Sequence, residues 1–344
     1  MTSEFLYDPQ LKSPKNTIYK FFKISNAISK RFNLSRKHRR IIRGIEYPIN
    51  LIYTLIYIFI NDIKLIHFNF SLVPRIDRFF FFLLIALKRK VYLTVHNAVP
   101  HDSQKLNFLL YKKLYERVTL IITLTQHVAE QVKKEMNVQN KKIVVIPHGN
   151  MDFVFNQVKN LEGIQYDKPT LVFLGVISPY KGILFLLNTI ELILKKIEVK
   201  LIIIGQIKEN LSNYYSYIKE KKMEKFVTWK TGYISLEKIY PIIKYTDLFI
   251  FPYNEASQSG GIPTAHTLGT PVVIRPVGGL TEMIIDGKDG IIAKSPQEMA
   301  AKITNILLNV RQYNKMKRFI SIERKRLNDW DHICRQFSVL YNEN

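Results

Sequence analysis

The chain has 344 residues, a formal net charge of +23 from 51 Lys/Arg against 28 Asp/Glu, and one cysteine. That length suits two domains better than one hydrophobic core, and the lone Cys334 excludes an internal disulfide and a cysteine-ligated metal and fits a reducing compartment. Residues 1–18 lack the apolar centre of a signal peptide; the longest apolar runs, Tyr47 to Ile60 and Phe79 to Leu87, are shorter than the roughly 20 residues a membrane span needs.

The basic excess is uneven. Residues 1–163 hold 26 Lys/Arg against 11 Asp/Glu, which is +15 of the +23. It is densest at Lys20, Lys23, Lys30, Arg31, Arg36, Lys37, Arg39, Arg40 and Arg43, where basic residues alternate with Phe21, Phe22, Ile24, Ile28, Phe32, Leu34, Ile41 and Ile42. A basic amphipathic surface of this kind suits anionic lipid headgroups. A solvated lysine-rich face is the plainer alternative, and nucleic acid ranks third. No nucleic-acid-binding module is recognisable, so nucleic acid is not an expected partner.

Along the chain, short β-rich runs alternate with helical patterns, the signature of parallel-sheet α/β organisation. The first half offers strands at 63–68, 91–96, 120–124 and 143–147, with helices at 103–115 and 127–135. Residues 151–168 lose the rhythm and read as a linker. A second series follows, with strands at 170–174, 200–204, 227–230, 248–251, 272–274 and 291–293. Helices fit 183–197, 211–222, 236–243, 260–268, 280–285 and 296–308, and an amphipathic helix closes the pattern at 320–341. No internal repeat or low-complexity tract occurs. Four segments are predicted: a doubly wound domain over 1–152, a linker over 153–168, a second doubly wound domain over 169–319, and a terminal helix over 320–344. In such sheets ligands sit beyond the carboxyl ends of the strands.

The most informative stretch is Phe251-Pro252-Tyr253-Asn254-Glu255-Ala256-Ser257-Gln258-Ser259-Gly260-Gly261-Ile262-Pro263, which leaves a strand and starts a helix near Gly260. Amides at a helix start form a site for phosphate. Gly260 and Gly261 would let the main chain approach a diphosphate, Ser257 and Ser259 add hydroxyls, and Glu255 or Gln258 suits sugar hydroxyls. Alone, the stretch reads equally well as an N-capped buried helix after a loop. The next run, Gly269 to Glu282, repeats the logic, with a buried strand, a glycine turn and Glu282 at a helix start, before the turn Asp286-Gly287-Lys288-Asp289-Gly290.

Together these residues resemble the donor-binding half of family 4 glycosyltransferases of the GT-B fold, in the bacterial polysaccharide-type branch whose loop reads Pro-Tyr and then Ala-Ser-Gln-Ser-Gly. The resemblance covers about residues 60–341. It implies two Rossmann-like domains facing a central cleft and a retaining sugar transfer. The donor would be a nucleotide diphosphate sugar and the acceptor a saccharide or polyprenyl-linked saccharide, in cell-surface polysaccharide biosynthesis, with no metal or other cofactor. The expected place of action is cytoplasmic, at the inner face of the plasma membrane, in peripheral contact with anionic lipid. A non-catalytic remnant that binds sugar nucleotide or a partner enzyme is the alternative reading.

The resemblance also assigns residues. Phe173 to Gly182 is similar to the glycine loop opening the second domain. It gives Gly175 as the close-approach glycine and Lys181 as the cation that offsets charge on the leaving diphosphate. Read locally, Lys181 is a first-turn surface lysine. The arginine that the family usually sets beside this glycine is absent, Val176 and Ser178 standing nearby, and Arg275 is the expected substitute. Thr94 to His101 is similar to the acceptor-side loop, with His96 turned to the donor sugar and Asn97 and His101 beside it; His67, near the end of the preceding strand, is a further acceptor-side candidate. Pro147-His148-Gly149-Asn150 resembles the hinge-side loop, where Gly149 permits close backbone approach and Asn150 caps or contacts ligand. Two family glutamates eight positions apart fall on Ala256 and Thr264, so Glu255 takes the first role by a one-residue shift and Thr264 replaces the ribose-binding acid. The expected catalytic set is His96, Lys181 and Glu255. The donor set is Gly175, Lys181, Ser257, Gln258, Ser259, Gly260, Gly261, Thr264 and Glu282. Compared with the family, one opening β-α-β unit is expected to be missing ahead of Met1. Asp329 and Asp331 beside Trp330 read as surface acids next to a packing tryptophan.

Overall fold

A computed structural model describes residues 35–71, 73–98, 105–138 and 142–342. The chain divides into two compact units, one from the described residues of Met1–Leu93 and Ser103–Leu120, the other from those of Thr94–Asp102 and Ile121–Asn344.

The first unit opens with helix α1, Arg36–Ile60, where Ser35 is the N-cap and its hydroxyl accepts the His38 amide at 3.4 Å. The interior Pro48 has no N–H for the carbonyl of Gly44, and Gly44 is exposed, so water can take that acceptor. Tyr47, Leu51 and Ile58 form the buried side of the helix. Sequence patterning had separated a basic stretch over 20–43 from an apolar run over 47–60, whereas Arg36–Ile60 is continuous helix; the part before Ser35 lies outside the described residues. Next come β1 (Leu65–Phe68), α2 (Pro74–Ala86) and β2 (Lys90–Val95), then α3 (Lys105–Tyr115), β3 (Leu120–Thr123), α4 (Gln126–Glu135) and β4 (Ile143–Val145). These strands form one sheet in the order β1-β2-β3-β4. β1 pairs with β2 and β3 with β4, both in parallel. Asp77 ties the first unit together. It is buried, and its carboxylate accepts the Tyr47 hydroxyl at 2.5 Å, the Ser71 hydroxyl at 2.6 Å and the Val73 amide at 2.9 Å. A buried carboxylate needs this degree of satisfaction.

The expected linker carries the helical turn α5 (Asp152–Phe155), and its Phe155 and Val158 are buried in the second unit's core. Then follow β5 (Thr170–Leu174), α6 (Ile183–Leu194), β6 (Lys200–Gly205), α7 (Ser212–Glu220), β7 (Val227–Thr231), α8 (Leu236–Ile243) and β8 (Leu248–Phe251). After them come α9 (Gly261–Thr267), β9 (Val272–Ile274), β10 (Gly290–Ile292), α10 (Pro296–Leu308) and α11 (Val310–Phe319). The six strands are ordered β10-β9-β8-β5-β6-β7, the doubly wound dinucleotide-fold order. Their strands are near-continuous Val, Ile, Leu and Phe because both faces are covered; Leu171, Val172, Phe173, Leu248, Phe249, Ile250 and Phe251 are all fully buried. Each such side chain contributes roughly 1.5–3 kcal/mol of burial free energy.

Two expected helices differ in detail. Residues 280–285 were patterned as α-helix, but the chain makes a 3₁₀ turn at Gly278–Glu282, its glycines packed against the carbonyls of Ala256 and Ser257. The closing helix is not one rod over 320–341. A π turn at Ile320–Arg324 and the short Lys325–Leu327 precede a break, after which α12 runs Trp330–Asn342. At the break the Asn150 amide donates to Asn328 O at 2.7 Å, and Trp330 Nε1 donates to Asn150 O at 2.9 Å. In the π turn, the Arg324 guanidinium grips the fully buried Asp289 carboxylate, Nε donating at 2.6 Å and Nη2 joining it.

Candidate functional site

The order of the six-stranded sheet locates the site before any side chain is considered. β5 starts the sheet; β6 and β7 are added on one side of it, β8 to β10 on the other. The topological switch point therefore lies between β5 and β8, where the loops leaving two neighbouring strands part in opposite directions and leave a crevice. The loops leaving those strands are Gly175–Lys181 and Pro252–Gly260, the two segments singled out by sequence.

The chain locks these loops together. Asn254 N–H donates to Tyr180 O at 2.8 Å, and its side-chain amide donates to Pro179 O at 3.1 Å. Gly182 makes the approach feasible. Its φ is +70°, and a Cβ there would sit 1.9 Å from Pro252 O, so no L side chain fits. Lys181 ends the 3₁₀ turn Pro179–Lys181, and its ammonium lies 3.5 Å from the ring centroid of Tyr253 and 4.8 Å from that of Tyr180. Burial depresses its pKa to about 8. The aromatic faces favour the charged form, but desolvation outweighs them.

Tyr253 is the hub of the arrangement. It is buried and carries Lys181 on its ring, while its hydroxyl is 3.2 Å from Ser259 Oγ. A Cβ on Gly175 would lie 3.7 Å from the same hydroxyl. One tyrosine thus touches or adjoins Gly175, Lys181 and Ser259. The sequence alone does not single out Tyr253 from its neighbours in the loop. Its available signal was an aromatic residue directly after the strand, two positions past Phe251.

The glycine pair divides its roles. Gly260 is exposed and a Cβ there meets nothing within 4 Å, whereas at Gly261 it would fall 2.4 Å from the Phe251 ring. Gly260 is therefore the place of open backbone approach, and Gly261 also has to be glycine to pack against Phe251. The helix-start amides are partly satisfied from within: Gly261 N–H donates to Ser259 Oγ at 3.3 Å and Ser259 N–H to Met283 Sδ at 3.4 Å. The Thr264 hydroxyl donates back to Gly260 O at 2.9 Å. Glu255 is exposed and Ser257 buried. Ser178 Oγ and Gln258 Oε1 are buried without protein partners among the described residues, atoms that ligand or water has to satisfy.

Arg275 reaches the same turn. Its Nη1 donates to Asn254 Oδ1, the residue that binds Pro179 and Tyr180, and its guanidinium lies 4.5 Å from the Phe185 ring centroid. A second cation is thereby anchored through Asn254 to the turn that ends in Lys181, and burial lowers its pKa.

Glu282 has its carboxylate on the Gln126 and His127 amides at the start of α4. His96 and Asn97 are half-buried in the bend after β2, His101 lies outside the described residues, and His67 lies within β1, half-buried, with its pKa lowered to about 4 by desolvation. Gly149 does not open toward a ligand: a Cβ there would be 2.7 Å from the Trp330 ring. Asn150 precedes the α5 N-cap Met151, and its Oδ1 accepts the Asp152 amide at 3.2 Å. A cavity of about 190 Å³ is lined by Thr125, His148, Gln258, Ile262, Glu282 and Met283 among others. A larger one of about 280 Å³ lies behind α9, lined by Asn150, His266, Thr267 and Arg324. It contains neither Lys181 nor any residue of the 252–260 loop and is no part of the switch-point site. Among the described residues no cluster of His, Cys, Asp or Glu suits a metal ion.

Two parallel-sheet α/β domains, with the switch-point loops built in this way, define the GT-B class, and solved structures agree. The chain superimposes on sucrose-phosphate synthase from Thermosynechococcus elongatus with a TM-score of 0.67 at 16% identity, covering 87% of this chain and 78% of that one. On Anabaena HepE, solved with UDP, the TM-score is 0.66 at 14% identity, covering 86% and 82%. Residues 19–150 match the family model Glycosyltransferase Family 4, and residues 168–309 match the model Glycosyl transferases group 1. Between them the two matches take in most of the chain, whose two domains are similar to family 4 and group 1 glycosyltransferases respectively and share the GT-B fold. Among curated relatives, an uncharacterized glycosyltransferase of Methanocaldococcus jannaschii is 25% identical over 260 residues, which is 70% of this chain and 64% of that protein's length.

Proposed function

We propose that this protein transfers a sugar from a nucleotide diphosphate sugar to a saccharide or lipid-linked saccharide acceptor, with retention of configuration, in the making of cell-surface polysaccharide. The observation that carries this reading is the convergence of Lys181, Ser259 and Gly175 on Tyr253 at the switch point. A desolvated cation beside open backbone at Gly260 suits a diphosphate. HepE was solved with UDP and with UDP-glucose, and the pneumococcal O-GlcNAc transferase with UDP and GlcNAc, which supports a donor of this class.

In this reading the diphosphate lies against the Gly260 backbone, and Lys181 and Arg275 offset its charge as the bond from sugar C1 to oxygen breaks. The cationic pair takes the role that a metal ion plays in other transferases. Ser257, Gln258 and Ser259 border the donor, Glu255 and Thr264 serve its sugar and ribose hydroxyls, and the acceptor hydroxyl attacks C1 from the face that the diphosphate leaves, giving its proton to the departing diphosphate oxygen. His96 steadies that hydroxyl, and Asn97 is a further acceptor contact in this reading. The acceptor is held at the inner face of an anionic membrane. The test is incubation with a nucleotide-sugar and a polyprenyl-linked saccharide. Release of nucleoside diphosphate with a product of the donor's anomeric configuration by NMR is expected; release without any glycosylated product, or a product of inverted configuration, contradicts the reading.

A further inference from the structure

We propose that the outer face of α1 is the surface on which this protein lies against an anionic lipid bilayer. Six isoleucines, Ile41, Ile45, Ile49, Ile52, Ile56 and Ile60, are each between 51% and 78% exposed. Their spacing of four, four, three, four and four residues places them within an arc of about 100° on a helix of 3.6 residues per turn. Tyr47, Leu51 and Ile58 occupy the other side and are buried. The isoleucine ladder spans roughly 28 Å at about 1.5 Å per residue, and the exposed Tyr53 and Phe59 border it. An apolar strip this long and continuous is uncommon on the surface of a soluble monomer and marks an interaction site.

Charge decides what covers it. The only acidic residue of α1, Glu46, is buried, so no carboxylate lies on the outer surface of the helix. Its first two turns carry Arg36, Lys37, Arg39, Arg40 and Arg43 in sequence. At about 100° per residue Lys37 and Arg39 fall beside the isoleucine arc, and Arg36, Arg40 and Arg43 on the side of Tyr47 and Leu51, so the N-terminal end of the apolar face is flanked by cations that suit anionic headgroups. A second copy of a chain with net charge +23 would bring like charge to like. Residues 1–34 are also basic, with six Lys/Arg against two Asp/Glu, and meet the same repulsion. Among the described residues no helix is long and apolar enough to cross a membrane, so α1 lies in the plane of the interface. The assignment deepens the reading of a membrane-held acceptor, and it does not depend on the sugar transfer itself.

The test is co-sedimentation of the full chain with phosphatidylcholine vesicles, with and without phosphatidylglycerol, at low and high salt. The wild type is expected to bind the phosphatidylglycerol vesicles and to be released by salt. Ile49→Asp with Ile56→Asp, both at exposed positions, is expected to lower partitioning at least about tenfold, while Leu308→Asp, an exposed apolar site on α10, leaves it unchanged. Should the double variant fail to fold, Ile45→Ser with Ile52→Ser is held to the same criterion. Three results would overturn the assignment: no binding by the wild type, equal binding by a folded double variant, or a wild-type dimer that the variant turns into monomer without any vesicle binding. Nucleotide-sugar stabilisation measured on the same samples reports the donor site separately, so either reading can fail alone.

Discussion

Glu282 and Gln126 are 156 positions apart in sequence, yet Glu282 Oε2 accepts the Gln126 amide at 2.5 Å, and Oε1 accepts the adjoining His127 amide at 2.7 Å. The start of α4 is thereby capped from a distant turn, while Thr125 Oγ1 accepts the Val128 amide at 3.3 Å. The same Thr125 hydroxyl is 3.2 Å from Ser257 O, so one helix start is joined to both the 278–282 turn and the 252–260 loop. The carboxylate expected on the donor is engaged by main chain.

Glu282→Ala should therefore cost about 1 kcal/mol, the usual loss of a helix cap, with Glu282→Gln less harmful because an acceptor oxygen remains. Thr125→Val should cost at least as much, since it also removes the bond to Ser257 O, and Thr125→Ser should restore most of it. Urea denaturation of the four variants checks the ranking.

Lys181 predicts an inverse effect on stability. An ordinary lysine pKa of 10.5 is depressed to about 8 by burial, so between pH 8 and 10.5 the unfolded chain binds more protons than the native one. Stability then rises with pH through this window, and the deficit, on the order of 3 kcal/mol, is complete below pH 8. Lys181→Met should be more stable than the wild type at neutral pH, and the gain should shrink as pH rises toward 10.5. Thermal unfolding across that range measures it.

Tyr253 separates its two contacts. Tyr253→Phe removes the hydroxyl near Ser259 and should cost about 1 kcal/mol while keeping the ring beneath Lys181 and thus donor binding. Tyr253→Leu also removes the cation–π contact, worth about 2 kcal/mol when desolvated, and should weaken donor binding severalfold more than the Phe variant. Isothermal titration with a nucleotide-sugar distinguishes them.

Gly182→Ala places a Cβ against Pro252 O at a φ of +70°. Because the obstacle is backbone, it cannot rotate away; a loss of at least about 1–3 kcal/mol is expected, together with displacement of Lys181. A variant that unfolds and binds donor like the wild type would show that the β5 and β8 loops are not held by this contact.

Much of the second unit was legible in the sequence. β5, β8, β9, α8 and α10 have the bounds that patterning assigned, because buried parallel strands are unbroken Val/Ile/Leu/Phe runs closed by Pro, Gly or Thr. α1 was not legible: its exposed isoleucines outnumber the buried Tyr47, Leu51 and Ile58, so the period of the core face is hidden, and Pro48 suggests a break. The roles of Gly261, Gly149 and Tyr253 were hidden for another reason. Each depends on a partner side chain (Phe251, Trp330 and Lys181) whose proximity only the fold establishes.

The most direct measurement is thermal unfolding of the wild type and Lys181→Met with UDP-, GDP- and ADP-sugars. Stabilisation of the wild type by at least one of them, absent in Lys181→Met, is the predicted result. No stabilisation by any of the three, or an equal rise in both proteins, would contradict a diphosphate site at Lys181 and Gly260.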